Sequence, residues 1–175
     1  EEVERILRDC EQRCADLLYK MAGLLGQNVA PDDAYTALRG LRTAHARIKL
    51  QAANVMEVIR WLQKQPEVDR VLYPALETDP GYALWKRDFH GANSLFSVAF
   101  KAPVTAADAN RFVDALTMFG IGASWGGYEC LALTYPPDRL KGWNGGALIR
   151  MHIGLEDPAD VIADLQRGFD TIRGK

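Results

Sequence analysis

The spacing of apolar residues changes once along this chain, near Pro66, and the change sets the fold class. Before it, Val3, Leu7, Cys10, Cys14, Leu17, Met21 and Leu25 recur at intervals of three and four, the repeat of one apolar helix face. After it, apolar residues alternate in short runs. In residues 95–100, Phe96, Val98 and Phe100 fall on one side of a strand, and Leu95, Ser97 and Ala99 on the other. Helices first, then strands interleaved with helices, predict an α+β protein. The expected architecture is long N-terminal helices followed by a small, mostly antiparallel four-stranded sheet covered by helices. Residues 1–65 read as a helical segment and residues 66–175 as a C-terminal α+β domain.

Local signals place the elements. The first helix covers residues 1–25, with Gly26 as its stop. Pro31 opens a second, with Asp32 and Asp33 on the positive end of its dipole, and it closes near Gly40. A third covers residues 43–65, with Ile48, Ala52, Val55, Ile59 and Leu62 as its stripe and Pro66 as its end. Strands are expected at residues 68–73, 95–100, 128–133 and 148–153. Thr105 with Asp108 three residues on is a near relative of the capping box, opening a helix that turns Ala109, Phe112, Val113 and Leu116 inward. Asp157-Pro158 starts a last helix that buries Val161, Leu165, Phe169 and Ile172.

Charge and cysteine content exclude several function classes. Lys+Arg total 21 and Asp+Glu 23, a net charge of -2, so no basic excess marks a nucleic-acid partner. No apolar run approaches the roughly 20 residues a membrane helix needs. Cys10, Cys14 and Cys130 are odd in number and make no disulfide framework, which points to a reducing cytoplasm. Cys10 and Cys14 are either an i, i+4 pair of metal ligands or small apolar residues on the helix stripe. The helical pattern is already running at Glu1, as in a piece of something larger. The apolar stripe over residues 3–25 is expected to drive self-association, which sedimentation at high concentration would check.

Two stretches carry the candidate chemistry. Alternation over residues 148–153 puts Ile149, Met151 and Ile153 on one face and Leu148, Arg150 and His152 on the other. Arg150 can therefore project above the sheet. A guanidinium forks two hydrogen bonds onto a carboxylate and keeps its charge, which suits capture of an amino acid. The alternative is a strand arginine facing solvent or paired with Glu156 or Asp157. Ser124-Trp125-Gly126-Gly127 is the second stretch. Its glycines permit positive φ and close backbone approach, and its N–H groups can form a small anion nest. The alternative is a tight turn before a strand, with a core tryptophan. His45, His90 and His152 have no Ser, Cys or carboxylate partner at a diagnostic spacing and read as surface or packed histidines. Glu129, Glu156 and Asp157 are candidate acids, Asp157 being better placed as a helix cap.

Several segments occur together in a recognisable order: Pro31-Asp32-Asp33-Ala34-Tyr35, Leu38-Arg39-Gly40-Leu41-Arg42-Thr43, Tyr73-Pro74-Ala75-Leu76, Trp85-Lys86-Arg87-Asp88-Phe89, Ser124-Trp125-Gly126-Gly127-Tyr128-Glu129 and residues 148–157. In these the chain resembles the C-terminal portion of the cystathionine β-lyase branch of the Cys/Met-metabolism pyridoxal-phosphate enzymes. The resemblance covers essentially the whole chain. It implies the C-terminal, substrate-binding domain of a fold-type I enzyme that cleaves the Cβ–S bond of cystathionine or related cysteine thioethers, giving homocysteine, pyruvate and ammonia. It implies Arg150 as the grip on the substrate α-carboxylate, with Ser124 and Trp125 lining the same pocket. It also implies pyridoxal 5'-phosphate as cofactor, an N-terminal cofactor-binding half as partner, and a cytoplasmic homotetramer. The family's Schiff-base lysine segment lies upstream and is not present: Lys20, Lys49, Lys64, Lys86, Lys101, Lys141 and Lys175 all stand in other contexts. No catalytic residue is therefore assigned within this chain. Ala123 stands where some β-lyases carry tyrosine, a difference that bears on substrate selectivity. The competing reading is a non-catalytic α+β module that binds amino acids or a partner protein.

Overall fold

A computed structural model describes residues 2–26, 29–137 and 140–174. Glu1, at the head of the first expected helix, and Lys175 lie outside the described residues. The chain divides into two compact units, Glu1–Thr43 and Ala44–Lys175.

The first unit holds helix α1, Glu2–Leu25, and the opening turns of α2, Pro31–Leu62. No residue of α1 is buried. Val3 is 68% exposed and Leu18 71%. Cys10 and Cys14 are exposed as well, so neither packs as a core residue. The stripe has the helical repeat, but the described residues do not cover it. No group of three or more metal-ligating side chains occurs among the described residues, which leaves the cysteine pair without further ligands.

The two helices expected at residues 31–40 and 43–65 are one helix, α2. Gly40 lies within it. A mid-helix glycine costs about 1 kcal/mol against alanine but keeps its N–H donor, so it weakens a helix without ending one. The later turns of α2 bury Val55, Val58, Ile59 and Leu62 completely. These residues belong to the core of the second unit. The compact unit accordingly begins upstream of the change in composition at Pro66.

That unit is built on a mixed, mostly antiparallel sheet of five strands in the order β1-β2-β5-β4-β3. The strands are β1 (Val68–Leu72), β2 (Leu95–Phe100), β3 (Gly120–Ile121), β4 (Leu131–Tyr135) and β5 (Leu148–His152). The strand added to the expected four is β3, which runs parallel to β4. Two residues are too few for alternation to show. Strand β4 starts at Leu131, not near Tyr128, because the preceding residues bond outside the ladder. The Tyr128 carbonyl accepts from Leu155 N–H at 2.8 Å, and Cys130 N–H donates to Glu156 Oε1 at 2.8 Å.

Register decides which side chains share a face. Phe96 lies opposite Met151 and Val98 opposite Ile149, so these four share one side of the sheet. They meet helices α4 (Ala106–Asp114) and α5 (Pro158–Ile172) and the end of α2 in one core. Phe169 of α5 is fully buried at its centre, with ring centroids 4.9 Å from Phe112 and 5.7 Å from Trp61. Both caps form as the sequence requires. Thr105 and Asp108 make a reciprocal capping box, and Asp157 Oδ1 accepts from Ala159 N–H at 2.8 Å. The short helix α3, Tyr82–Asp88, carries Trp85-Lys86-Arg87-Asp88 at the surface. No helix among the described residues is long and apolar enough to cross a membrane.

Two polar contacts tie elements distant in sequence. Asp164, 1% exposed, accepts from Thr117 N–H at 3.0 Å and Met118 N–H at 2.9 Å, fixing the chain between α4 and β3. Replacing its carboxylate strands those donors. Asp164→Ala is expected to cost about 2–3 kcal/mol, read from the urea midpoint, with Asp164→Asn recovering part of the loss. Arg173 donates to both oxygens of Glu67 at 2.7 Å, and this bond holds the Glu67 carboxyl below its ordinary value of 4.5. A lowered carboxyl pKa in the folded state adds stability above the unfolded value, and that stability is lost as pH falls through the folded value. Arg173→Ala is therefore expected to destabilise by about 1 kcal/mol at neutral pH and by less below pH 4.5. Urea titrations at the two pH values measure the difference.

Candidate functional site

The face of the sheet away from the core carries the candidate site, and β5 supplies its centre. Arg150 and His152 point to the same side, two residues apart. Arg150 lies opposite Ser97 on β2 and Leu133 on β4. It is partly buried, and its guanidinium sits 5.6 Å from the centroid of the Tyr135 ring. Its Nη2 donates to the Ala123 carbonyl at 2.5 Å. Neither acid offered by the sequence as a partner is engaged with it. Glu156 accepts from Cys130, and Asp157 caps α5. No described carboxylate makes an ion pair with Arg150.

The turn beside Arg150 is made by Ser124-Trp125-Gly126-Gly127. Ser124 is exposed, and Trp125 is 57% exposed rather than a core residue. Gly126 has φ +83°, a conformation open to glycine and strained for other residues. Buried polar side chains hold the turn from below. His152, 2% exposed, accepts from Gly126 N–H through Nε2 at 3.1 Å. Its Nδ1 lies 2.7 Å from Ser94 Oγ. Gln51 of α2 donates to the Gly127 carbonyl at 2.6 Å, and Asn54 donates to the Glu156 carbonyl at 3.1 Å. The chain after β5 closes the same region. A Cβ on Gly154 would run into the Tyr128 carbonyl, so only glycine lets these two backbones approach.

Burial sets the electrostatics. It pushes the His152 imidazole below its ordinary pKa of 6.5, against smaller opposing contributions from the Gly127 carbonyl and Glu156. The ring is neutral at pH 7. Burial also pushes the Cys130 thiol up to about 12, which makes it a packing and hydrogen-bonding group rather than a nucleophile. Its Sγ donates to Glu156 Oε2 at 3.2 Å and accepts from Gly154 N–H at 3.2 Å.

A pocket of ≈ 200 Å³ opens between α2 and the turn, bordered by Arg47, Gln51, Ser94, Trp125 and His152 among others. A larger one of ≈ 420 Å³, lined by Tyr73, Leu84, Trp85 and Phe89, is apolar and borders neither Arg150 nor the turn. The smaller pocket borders Trp125, Gly126 and His152, but neither Arg150 nor Ser124.

Of the three residues singled out in the sequence, Arg150 is bonded to Ala123, the residue that precedes Ser124 and Trp125 in the chain. Sequence reasoning did not find the support beneath them. The position of His152 on Arg150's face was legible, but its burial was not. Gln51, Asn54 and Ser94 carry no motif at all.

A model of the family described as Cys/Met metabolism PLP-dependent enzyme matches residues 6–170. The chain belongs to this family. A cystathionine beta-lyase of Bordetella avium is 46% identical over 166 residues, which is 91% of this chain and 41% of that protein. An L-alanine/L-glutamate racemase of Wolbachia pipientis is 42% identical over 156 residues, 85% of this chain and 38% of that protein. The crystal structure of a cystathionine gamma synthase from Xanthomonas oryzae, in complex with aminoacrylate and cysteine, superposes with a TM-score of 0.75 at 31% identity. It covers 87% of this chain and 41% of that one. The chain spans about two fifths of the length of these relatives. Its two long helices and five-stranded sheet are the C-terminal domain of a fold-type I enzyme.

Family membership implies pyridoxal phosphate, and the described residues do not fit it by themselves. Covalent attachment needs a lysine in the site. All six described lysines are exposed, and none borders the pocket beneath Trp125. What the described residues hold at this place is a cationic fork beside a tied turn.

Proposed function

We propose that the chain is the substrate-binding part of a pyridoxal-phosphate C–S β-lyase, and that Arg150 holds the α-carboxylate of cystathionine or a related cysteine thioether. One observation carries this reading: a partly buried arginine, unpaired with any described carboxylate, stands beside a turn tied down by buried polar groups. A guanidinium has five N–H donors. Among the described residues its single hydrogen bond is Nη2 to Ala123, which leaves an edge for two parallel bonds to a carboxylate. Ser124 and Trp125 wall the same site, with a hydroxyl and an indole N–H as further donors. The gain is orientation. A substrate gripped at its carboxylate presents its Cα–H bond in one direction, and misplacement by about 1 Å costs on the order of a hundredfold in rate. Cofactors of this class carry the bond-breaking chemistry. The relative of 46% identity is a cystathionine beta-lyase, and the Ser-Trp-Gly-Gly-Tyr-Glu segment favours that branch.

The test follows the Arg150 Nε–H resonance during titration with L-cystathionine and with an analogue lacking the α-carboxylates. The acid is expected to shift the resonance and the decarboxylated analogue to leave it in place. Equal shifts, or none with either, would overturn the assignment.

A further inference from the structure

His152 Nε2 stands between two backbone groups of opposite character. The Gly126 N–H lies 3.1 Å away and the Gly127 carbonyl 3.4 Å away. Only one can be served at a time. With Nε2 bare, it accepts from Gly126, and the ring proton on Nδ1 is donated to Ser94 Oγ at 2.7 Å. This neutral tautomer satisfies both close contacts, and it leaves the Gly127 carbonyl to Gln51 at 2.6 Å. A second proton changes the arrangement. Nε2–H can no longer accept, so the Gly126 N–H faces a donor, and the ring's nearest acceptor becomes the Gly127 carbonyl, 3.4 Å away and shared with Gln51.

We propose that His152 is a positioning residue for the carboxylate site: its neutral ring latches the Trp125–Gly127 turn beside Arg150 through the Gly126 amide, and proton uptake at Nε2 opens the latch. The proposal rests on Ser124 and Trp125 being the wall of that site. The proton comes from solvent, and no covalent bond changes.

The surroundings set the direction of the switch. From α2, Arg47 borders the same pocket. From the chain after β5, Glu156 favours an imidazolium. The groups packed on the ring from β2's approach and from the turn are neutral: Ser94, Trp125, Gly126 and Gly127. Leu131, opposite on β4, is apolar. Burial outweighs the attraction of Glu156 and lowers the ring's pKa. The latch is therefore fully closed above the ordinary value of 6.5 and is lost as pH falls through the lower folded-state value.

Imidazole and amide nitrogen NMR of the full chain between about pH 8 and about pH 5 tests this. The expected result is an Nδ1–H tautomer for His152 and a Gly126 amide resonance that moves with the ring, at a midpoint below the ordinary 6.5. An Nε2–H tautomer, or a Gly126 resonance that stays flat while the ring titrates, overturns the proposal. His152→Gln retains an acceptor for Gly126. It is expected to keep neutral-pH affinity for L-cystathionine within about threefold and to lose the fall in affinity toward low pH. His152→Leu is expected to weaken binding by about fivefold to tenfold, the worth of one net hydrogen bond. An unchanged pH profile in His152→Gln also counts against the latch. If the unmodified chain binds no L-cystathionine at any pH, the carboxylate reading fails, while the tautomer and the Gly126 titration still decide the latch.

Discussion

Arg150→Ala is expected to lower affinity for an amino-acid α-carboxylate by about a hundredfold, roughly 3 kcal/mol for two charge-assisted hydrogen bonds. Titration with L-cystathionine measures it directly. Folding should change little, because the guanidinium is only partly buried and its removal strands one carbonyl, that of Ala123, at the surface. The loss should therefore appear in binding and not in the urea midpoint. Arg150→Lys separates charge from geometry. A lysine keeps the cation but cannot fork, so it should recover part of the affinity and not all of it. Full recovery would reduce the site to a diffuse positive charge. An unchanged affinity in Arg150→Ala would place the carboxylate elsewhere.

Phe169→Ala is expected to produce the largest loss of stability, about 3–5 kcal/mol, measured by urea unfolding. The side chain is fully buried and touches aromatic rings from three elements: Trp61 on α2, Phe100 on β2 and Phe112 on α4. Its removal leaves a cavity that these rigid rings cannot collapse to fill. Neighbouring Gly168 shows how close the packing is, since a Cβ there would lie 2.9 Å from the Phe112 ring. A loss below about 1 kcal/mol would mean that α5 does not seat on this core.

Much of the fold was legible because burial leaves a period in the sequence. Phe96, Val98 and Phe100 alternate and are buried, and Val161, Leu165 and Phe169 repeat at helical spacing and are buried. The caps at Thr105 and Asp157 were legible for the same kind of reason, since an oxygen before a helix has one strong use. Features without a period were hidden. Gly40 resembles a stop signal, yet α2 runs through it. The strand β3 is too short to alternate. Cys10 and Cys14 lie on an apolar stripe that the described residues leave exposed, because periodicity marks a face that wants cover without naming the cover.

The candidate site divides along the same line. Arg150 announces itself as a cation in an apolar strand, and the Trp-Gly-Gly turn by its composition. The side chains that hold them are anonymous in sequence. Ser94 and Gln51 reach the site from positions 58 residues before His152 and 76 before Gly127. Such contacts are set by the fold alone. Arg150 and His152 share a face through strand alternation, and α2 brings Gln51 to the Gly127 carbonyl and Asn54 to the Glu156 carbonyl from far away in the sequence. Positioning of the turn is thus distributed, while the proposed recognition is concentrated in one group.

A crystal structure of the chain with bound L-cystathionine tests that concentration most directly. The expected result is a substrate α-carboxylate with both oxygens about 3 Å from the Arg150 guanidinium, and Ser124 and Trp125 closing over it. A carboxylate held by another cation, with Arg150 still bonded only to the Ala123 carbonyl, would contradict it.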